Sequence, residues 1–231
     1  MRLISNLNAW IDGLKARRTN WLVTLILLMS LPMACGLLKP SNDELQAPER
    51  IIFEDDFSDV ESGWNRAAAP GGVTDYDDGM YRVLVNQPNT DIWAMSGLEL
   101  GDVSVEVKAL KVGGDRNNRF GVICRAVDVS NFYTFVISSD GFWGIGKVKG
   151  SSYQLVGMES LQPSEAILLG SATNTIRADC LGATLRLYVN GQKLAEVQDS
   201  EFATGDVGLI AGSYADPGVD IRSDDMVVRG P

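Results

Sequence analysis

Beyond its first fifty residues the chain reads as an all-β protein, on three observations. Short apolar runs recur with period-two alternation, as in 103–111 (VSVEVKALK), where Val103, Val105, Val107 and Ala109 share one face and Ser104, Glu106 and Lys108 the other. Asp140-Gly141 and Asn190-Gly191 sit between such runs, and a Gly there supplies the positive φ that a tight hairpin turn needs. No helical periodicity follows the N-terminal apolar segment. Many short strands with regular turn signals predict a sandwich or barrel, because the apolar face of a sheet has to be covered by a second layer.

The elements follow in order. Residues 1–20 are polar and net basic, and residues 21–38 (WLVTLILLMSLPMACGLL) form a nearly continuous apolar run. Basic residues, an apolar stretch and then small residues make residues 1–35 a secretory signal or membrane anchor. Ala34-Cys35-Gly36 suggests lipidation of Cys35, although Pro32 stands where such boxes usually carry Leu. An uncleaved single-span helix, with Lys15, Arg17 and Arg18 left in the cytoplasm, and a plain cleaved signal are the alternatives. All three place the folded part outside the cytoplasmic membrane, in contact with the membrane only through the N-terminal lipid or helix. Residues 36–50 are a polar tether with two prolines.

The folded part, 51–230, opens with a strand at 51–57 and then Ser62-Gly63-Trp64. Residues 67–78, with Pro70, Gly71 and Gly72, read as a loop. Strands are expected at 80–85, 91–95 and 103–111, and 113–118 is a turn cluster. A three-stranded meander follows at 120–126, 132–138 and 142–148. Alternation puts Phe120, Val122, Cys124 and Ala126 on one face of its first strand, Tyr133, Phe135 and Ile137 on a face of the second, and Trp143 and Ile145 on a face of the third. Residues 153–158 are a further strand, and Pro163 argues for a loop at 161–170. Strands at 174–180, 184–189, 192–197, 206–211 and 219–228 close the domain.

Composition narrows the function. The formal net charge is −10, and since Arg2, Lys15, Arg17 and Arg18 against Asp12 give the first 35 residues +3, the remainder carries −13. An acidic domain repels nucleic acid, so a nucleic-acid partner is not expected, and the charge also keeps an exported domain soluble. With no histidine there is no Ser-His-Asp or Cys-His catalysis and no histidine metal ligation. Of three cysteines, Cys35 ends the targeting segment, and Cys124 and Cys180 form an even pair on the apolar faces of their strands. In an oxidising compartment they suit a disulfide; two buried free thiols are the other reading.

The blocks GVICRAVDVSNFYTFVISSDGFWGIGK, NTIRADCLGATLRLYVNGQKLAEVQD, GDVGLIAG and FEDDFSDVESGW resemble bacterial secreted domains of the concanavalin A-like lectin/glucanase superfamily, including laminin G-like and keto-disaccharide hydrolase-like jelly rolls. The resemblance spans roughly residues 51–229 and implies a jelly-roll sandwich of two antiparallel sheets, in which the opening strand pairs with the closing one. It is specific for fold and poor for function, since the superfamily holds lectins, glycosidases and adhesion modules.

Three chemistries are weighed on the residues. The glucanase relatives carry a Glu, an Asp two later and a Glu three beyond that on one strand; this pattern is absent, and Glu159 and Glu165 flank Pro163 rather than sharing a rigid strand. No catalytic residues are assigned. Sugar binding calls for aromatic platforms with polar groups beside them. Trp64, Tyr76, Trp93, Tyr133, Trp143 and Tyr153 are candidates, each more readily read as core or sheet edge. Trp93 with Trp143, in strands expected to share a sheet, is the best pair; Arg119 and Arg125 are both unusual, and Arg125, pointing opposite Cys124, could line the concave face as a polar contact, with an ordinary salt bridge or solvated strand face as its plain reading. Arg125, Tyr133, Trp143 and Trp93 are therefore the expected ligand-binding residues. A structural calcium, common in the resembled sandwiches, is the one cofactor considered: Asp55, Asp56 and Asp59 would meet Asp224 and Asp225 if the first and last strands pair, while solvated acids at loop ends explain them as well. The function expected is an envelope-anchored, non-catalytic binding module with a glycan as its leading ligand. The alternatives are a glycoside or keto-disaccharide hydrolase and a structural surface lipoprotein.

Overall fold

The computed structural model describes residues 50–231, and the signal, Cys35 and most of the tether lie outside the described residues. All regular elements among the described residues are strands: β1 (Arg50–Asp55), β2 (Ala67–Ala69), β3 (Gly72–Asp77), β4 (Met80–Val85), β5 (Asp91–Met95), β6 (Val103–Gly113), β7 (Asn118–Asp128), β8 (Asn131–Ile137), β9 (Phe142–Lys149), β10 (Ser152–Leu155), β11 (Gln162–Pro163), β12 (Asn174–Leu181), β13 (Thr184–Val189), β14 (Gln192–Gln198), β15 (Asp206–Ser213) and β16 (Val219–Gly230). They form two antiparallel sheets. One has nine strands in the order β14-β13-β12-β6-β16-β4-β3-β2, with β1 also on β16; the other has seven in the order β10-β9-β8-β7-β15-β5, with β11 on β9. The sandwich expected from the alternating runs is the fold observed.

Alternation builds the core. Val103, Val105, Val107 and Ala109 of β6 and Ile176, Ala178 and Cys180 of β12 face Phe120, Val122 and Cys124 of β7 and Tyr133, Phe135 and Ile137 of β8 between the sheets. Phe57, Trp64, Tyr76 and Tyr81 make an aromatic corner of this core, with ring centroids 5.2–6.5 Å apart. Trp64 and Tyr76, two of the sugar-platform candidates, are thereby buried structural residues. The first and last strands pair, Asp55 opposite Met226. The stretch 67–78 is a hairpin rather than a loop: β3 alternates with Gly72, Thr74 and Tyr76 buried, and turns into β4 at Asp78-Gly79, both at positive φ. Its glycines and threonine carry little hydrophobic signal, which is why the pattern is faint in sequence. Pro163 does sit in a strand, but a two-residue one at the sheet edge, where the missing N–H costs no ladder bond.

The strict alternation of β7 breaks at Arg125. Ile123 and Ala126 of β7 stand opposite Gly208 and Asp206 of β15, so one strand spends three steps where the other spends two. This is a β-bulge, with Arg125 at φ 52°. It reverses the sides: Ala126 joins the outer face, and Arg125 turns inward and is 1% exposed. There its guanidinium donates to the carbonyls of Gly182, Phe202 and Cys180 and to Asp102 Oδ1. Beside it the Cys124–Cys180 disulfide ties β7 of one sheet to β12 of the other. One corner of the sandwich is thus clamped by a covalent bond and a buried cation.

Candidate functional site

The two outer faces differ in kind. That of the nine-stranded sheet carries ion pairs, among them Arg82–Asp220 at 2.7 Å, Arg222–Asp77 at 2.7 Å and Arg177–Asp179 at 3.3 Å. That of the seven-stranded sheet is apolar at its centre: Ile123, Ala126, Phe132, Val136 and Ile210 are buried there, with Trp93, Met95 and Val148 packed against them. A recess of about 130 Å³ opens on this second face, floored by Phe132, Thr134, Val136, Val148 and Ile210 and walled by Trp93, Tyr153 and the Arg119–Asp91 pair.

Register explains why these side chains meet. Asp91 of β5 and Arg119 of β7 both stand opposite Gly212 of β15, so the two charges reach each other across a strand that has no side chain between them. A Cβ at position 212 would collide with the Asp91 carboxylate and the Arg119 guanidinium. Asp91 accepts from Arg119 Nε at 2.5 Å and Nη2 at 2.7 Å, a bidentate pair. Burial, the largest influence, disfavours the Arg119 charge, but Asp91 and then Tyr214 outweigh it and hold the pKa above its usual value. The guanidinium also lies 4.8 Å from the Tyr214 ring centroid and 5.9 Å from that of Tyr153. One row further along, Trp93 and Ile210 are neighbours, and the Trp93 ring meets Phe132 at 5.4 Å.

Tyr153 forms another wall: its hydroxyl end rests on Gly146, where a Cβ would clash, while 43% of the residue stays exposed. Burial raises its phenol above the usual value, in part offset by the Thr134 hydroxyl and the Arg119 charge. Thr134 is 1% exposed, and its Oγ1 has no hydrogen-bond partner of normal geometry within the protein. A buried hydroxyl without a partner is costly, and this one lies in the floor of the recess. A second, wider cavity of about 420 Å³ adjoins it, lined by Met95, Gly97, Leu98, Glu99, Asp128 and Thr204 among others; Val129 lines both.

The residues expected from sequence to form the ligand site do not come together. Trp93 lines the recess. Trp143, in the same sheet, packs against the core between the sheets, so it faces the opposite way. Tyr133 is fully buried, donating to Asp199 at 2.5 Å and accepting from the Phe202 N–H. Burial, then the hydrogen bond to Asp199, pushes its phenol up. Burial likewise pushes Asp199 up, but bonds from Lys147 and Tyr133 outweigh it and hold that carboxyl low. Arg125 is a structural clamp rather than a surface contact, because the bulge re-aims it. Tyr153 was legible as a candidate and Arg119 as an unusual residue; Asp91 and Thr134 were not. The alternation Asp91-Ile92-Trp93 does put Asp91 on the Trp93 face, but only the strand register brings Arg119 to it.

The calcium candidates are near one another but committed elsewhere. Asp55, Asp56 and Asp225 line a cavity of about 450 Å³ between the first and last strands. Asp55 accepts from the Phe57 N–H, the Ser62 hydroxyl and Trp64 Nε1. Asp56 accepts from Ser58, Asp224 from the Asp225 N–H, and Asp225 from Lys108 at 2.5 Å. Among the described residues no three carboxylates gather as a metal group. Each of these carboxylates already accepts from a protein N–H, O–H or ammonium group.

No protein-family model and no curated protein matches the chain. Solved structures do. A carbohydrate-binding module, CBM66, from Bacillus subtilis superposes with a TM-score of 0.60 at 13% identity, over 73% of this chain and 96% of that one. A Bacillus subtilis protein of unknown function with a galectin-like fold gives 0.56 at 11% identity, over 79% and 96%. The GlcNAcα1-4Gal-releasing endo-β-galactosidase of Clostridium perfringens gives 0.58 at 13% identity, over 80% of this chain and 64% of the enzyme. The likeness at this identity is one of fold: an all-β, two-sheet, jelly-roll-like sandwich.

Proposed function

We propose that this chain is an extracytoplasmic carbohydrate-binding module whose site is the recess between Trp93 and Tyr153. The observation that carries the reading is the composition of that recess: an apolar, aromatic-walled floor holding a buried Thr134 hydroxyl with no hydrogen-bond partner of normal geometry, beside a fixed donor–acceptor pair. A sugar ring presents an apolar C–H face to an aromatic side chain and hydroxyls at its rim, which is the complement of such a surface. Carbohydrate-binding and carbohydrate-cleaving proteins among the structures of like fold support it. The adjoining cavity across Val129 offers room for a second sugar unit.

A glycan array followed by calorimetry on the best neutral oligosaccharide tests this. Trp93→Ala is expected to weaken binding about tenfold or more, the range for losing a central aromatic contact. Unchanged affinity in a variant that keeps its melting temperature would place the site elsewhere. The anchoring at the envelope rests on the sequence of residues 1–35. Intact mass of the chain purified from membranes is expected to start at Cys35 with a diacylglycerol added; a mass that includes residues 1–34 would instead indicate the uncleaved anchor.

A further inference from the structure

Arg119 is the cation that lines the recess, and its charge is already matched. Asp91 occupies both its Nε and its Nη2, at 2.5 and 2.7 Å. The two side chains are 18% and 25% exposed, so water screens the pair only in part. Gly212 gives the pair its seat, since any side chain at 212 would drive the partners apart. The recess therefore presents a zero-charge dipole: a carboxylate beside a guanidinium whose Cζ lies 4.8 Å from the Tyr214 ring centroid.

We propose that this pair makes the recess selective for neutral sugars and that Asp91 is the residue that sets the selectivity. The inference rests on the carbohydrate reading given above. Sugar hydroxyls are both donors and acceptors, so a vicinal diol can donate to the Asp91 carboxylate and accept from the guanidinium at once. A uronate or other acidic sugar would have to bring its carboxylate up to Asp91, and like charges in a partly desolvated site repel. It finds no compensating cation, because the guanidinium is matched. The field of the whole chain, with its net charge of −10, acts in the same direction.

The test pairs neutral and acidic glycans, using gluco-, galacto- and xylo-oligosaccharides against oligogalacturonides and glucuronic-acid-bearing xylo-oligosaccharides. Binding is measured to the wild-type chain, Asp91→Asn, Asp91→Glu and Trp93→Ala. Wild type is expected to prefer neutral glycans, with affinity nearly flat between low and physiological salt. Asp91→Asn frees the guanidinium and is expected to shift the acidic-to-neutral ratio by about tenfold or more toward acidic ligands, with a new salt dependence. Asp91→Glu keeps the charge and is expected to keep the neutral preference. Equal or stronger wild-type binding of acidic glycans overturns the proposal, even if Asp91→Asn does not fold. So does an unchanged ratio in a folded Asp91→Asn. Acidic glycans bound by wild type as tightly as neutral ones, and lost in Trp93→Ala, would leave the carbohydrate reading standing while sinking this one; no binding of either class by any chain would sink both.

Discussion

Replacing Cys124 and Cys180 together by Ala is expected to lower stability by roughly 4 kcal/mol, from the loop-entropy relation for the 56-residue separation. The bridge joins β7 to β12, strands of opposite sheets, so its loss frees the two layers in the unfolded chain as well as unpinning one corner of the folded one. Denaturant unfolding of oxidised wild type and the double variant measures it. The midpoint is expected to fall while the folded β-sheet spectrum is kept. A variant that unfolds within about 1 kcal/mol of wild type would mean that the corner is held chiefly by something else.

That something else would be Arg125, the subject of the second large effect. Arg125→Met removes the donors of the Gly182, Phe202 and Cys180 carbonyls and leaves Asp102 with only the Gly182 N–H. Of these carbonyls the Phe202 and Cys180 contacts are buried while Gly182 is exposed, and buried acceptors left without a partner cost about 1–3 kcal/mol each, so a total of about 2 kcal/mol or more is expected. The Asp102 side chain is 52% exposed and adds little, since water solvates it once the partner is gone. Desolvation, only partly offset by Asp102, also lowers the Arg125 pKa, as expected for a cation held by neutral carbonyls more than by charge. The effect should reach the recess. The bulge at Arg125 sets the path of residues 126–129, and Val129 is the lip shared by the recess and the adjoining cavity. Chemical unfolding gives the first quantity. Arg125→Lys should recover little of it, because a single ammonium cannot reproduce the guanidinium fork over three carbonyls.

What could be read from the sequence divides along a physical line. Alternation within a strand is local, so the meander at 120–148, the Asn190-Gly191 hairpin and the core faces of β6 and β12 were legible, as was the apolar placement of Cys124 and Cys180. Arg125 went the other way because a bulge shifts parity by one, and nothing local in the run ICRAVD marks it. Trp93 and Trp143 were paired because they share a sheet, but in a sheet buried on one face and half-covered on the other an aromatic fits either side; only the register assigns Trp143 to the core. The site itself is a product of register. Asp91 and Arg119 are 28 positions apart and meet over Gly212, a residue from a third strand far along the chain. Glycines that look like loosened strand in sequence (Gly146 and Gly212) are the places where the sheet yields room to Tyr153 and to the ion pair.

The central claim is that the outer face of the seven-stranded sheet binds a sugar between Trp93 and Tyr153. Titrating isotope-labelled protein with the best neutral oligosaccharide, and following the Trp side-chain indole and backbone amide signals by NMR, tests it most directly. The account predicts saturable shifts at the Trp93 indole and at the amides of Thr134, Val148 and Tyr153, with the Trp64 indole unmoved. Shifts confined to the ion-paired face of the nine-stranded sheet, or none at saturating oligosaccharide, would contradict it.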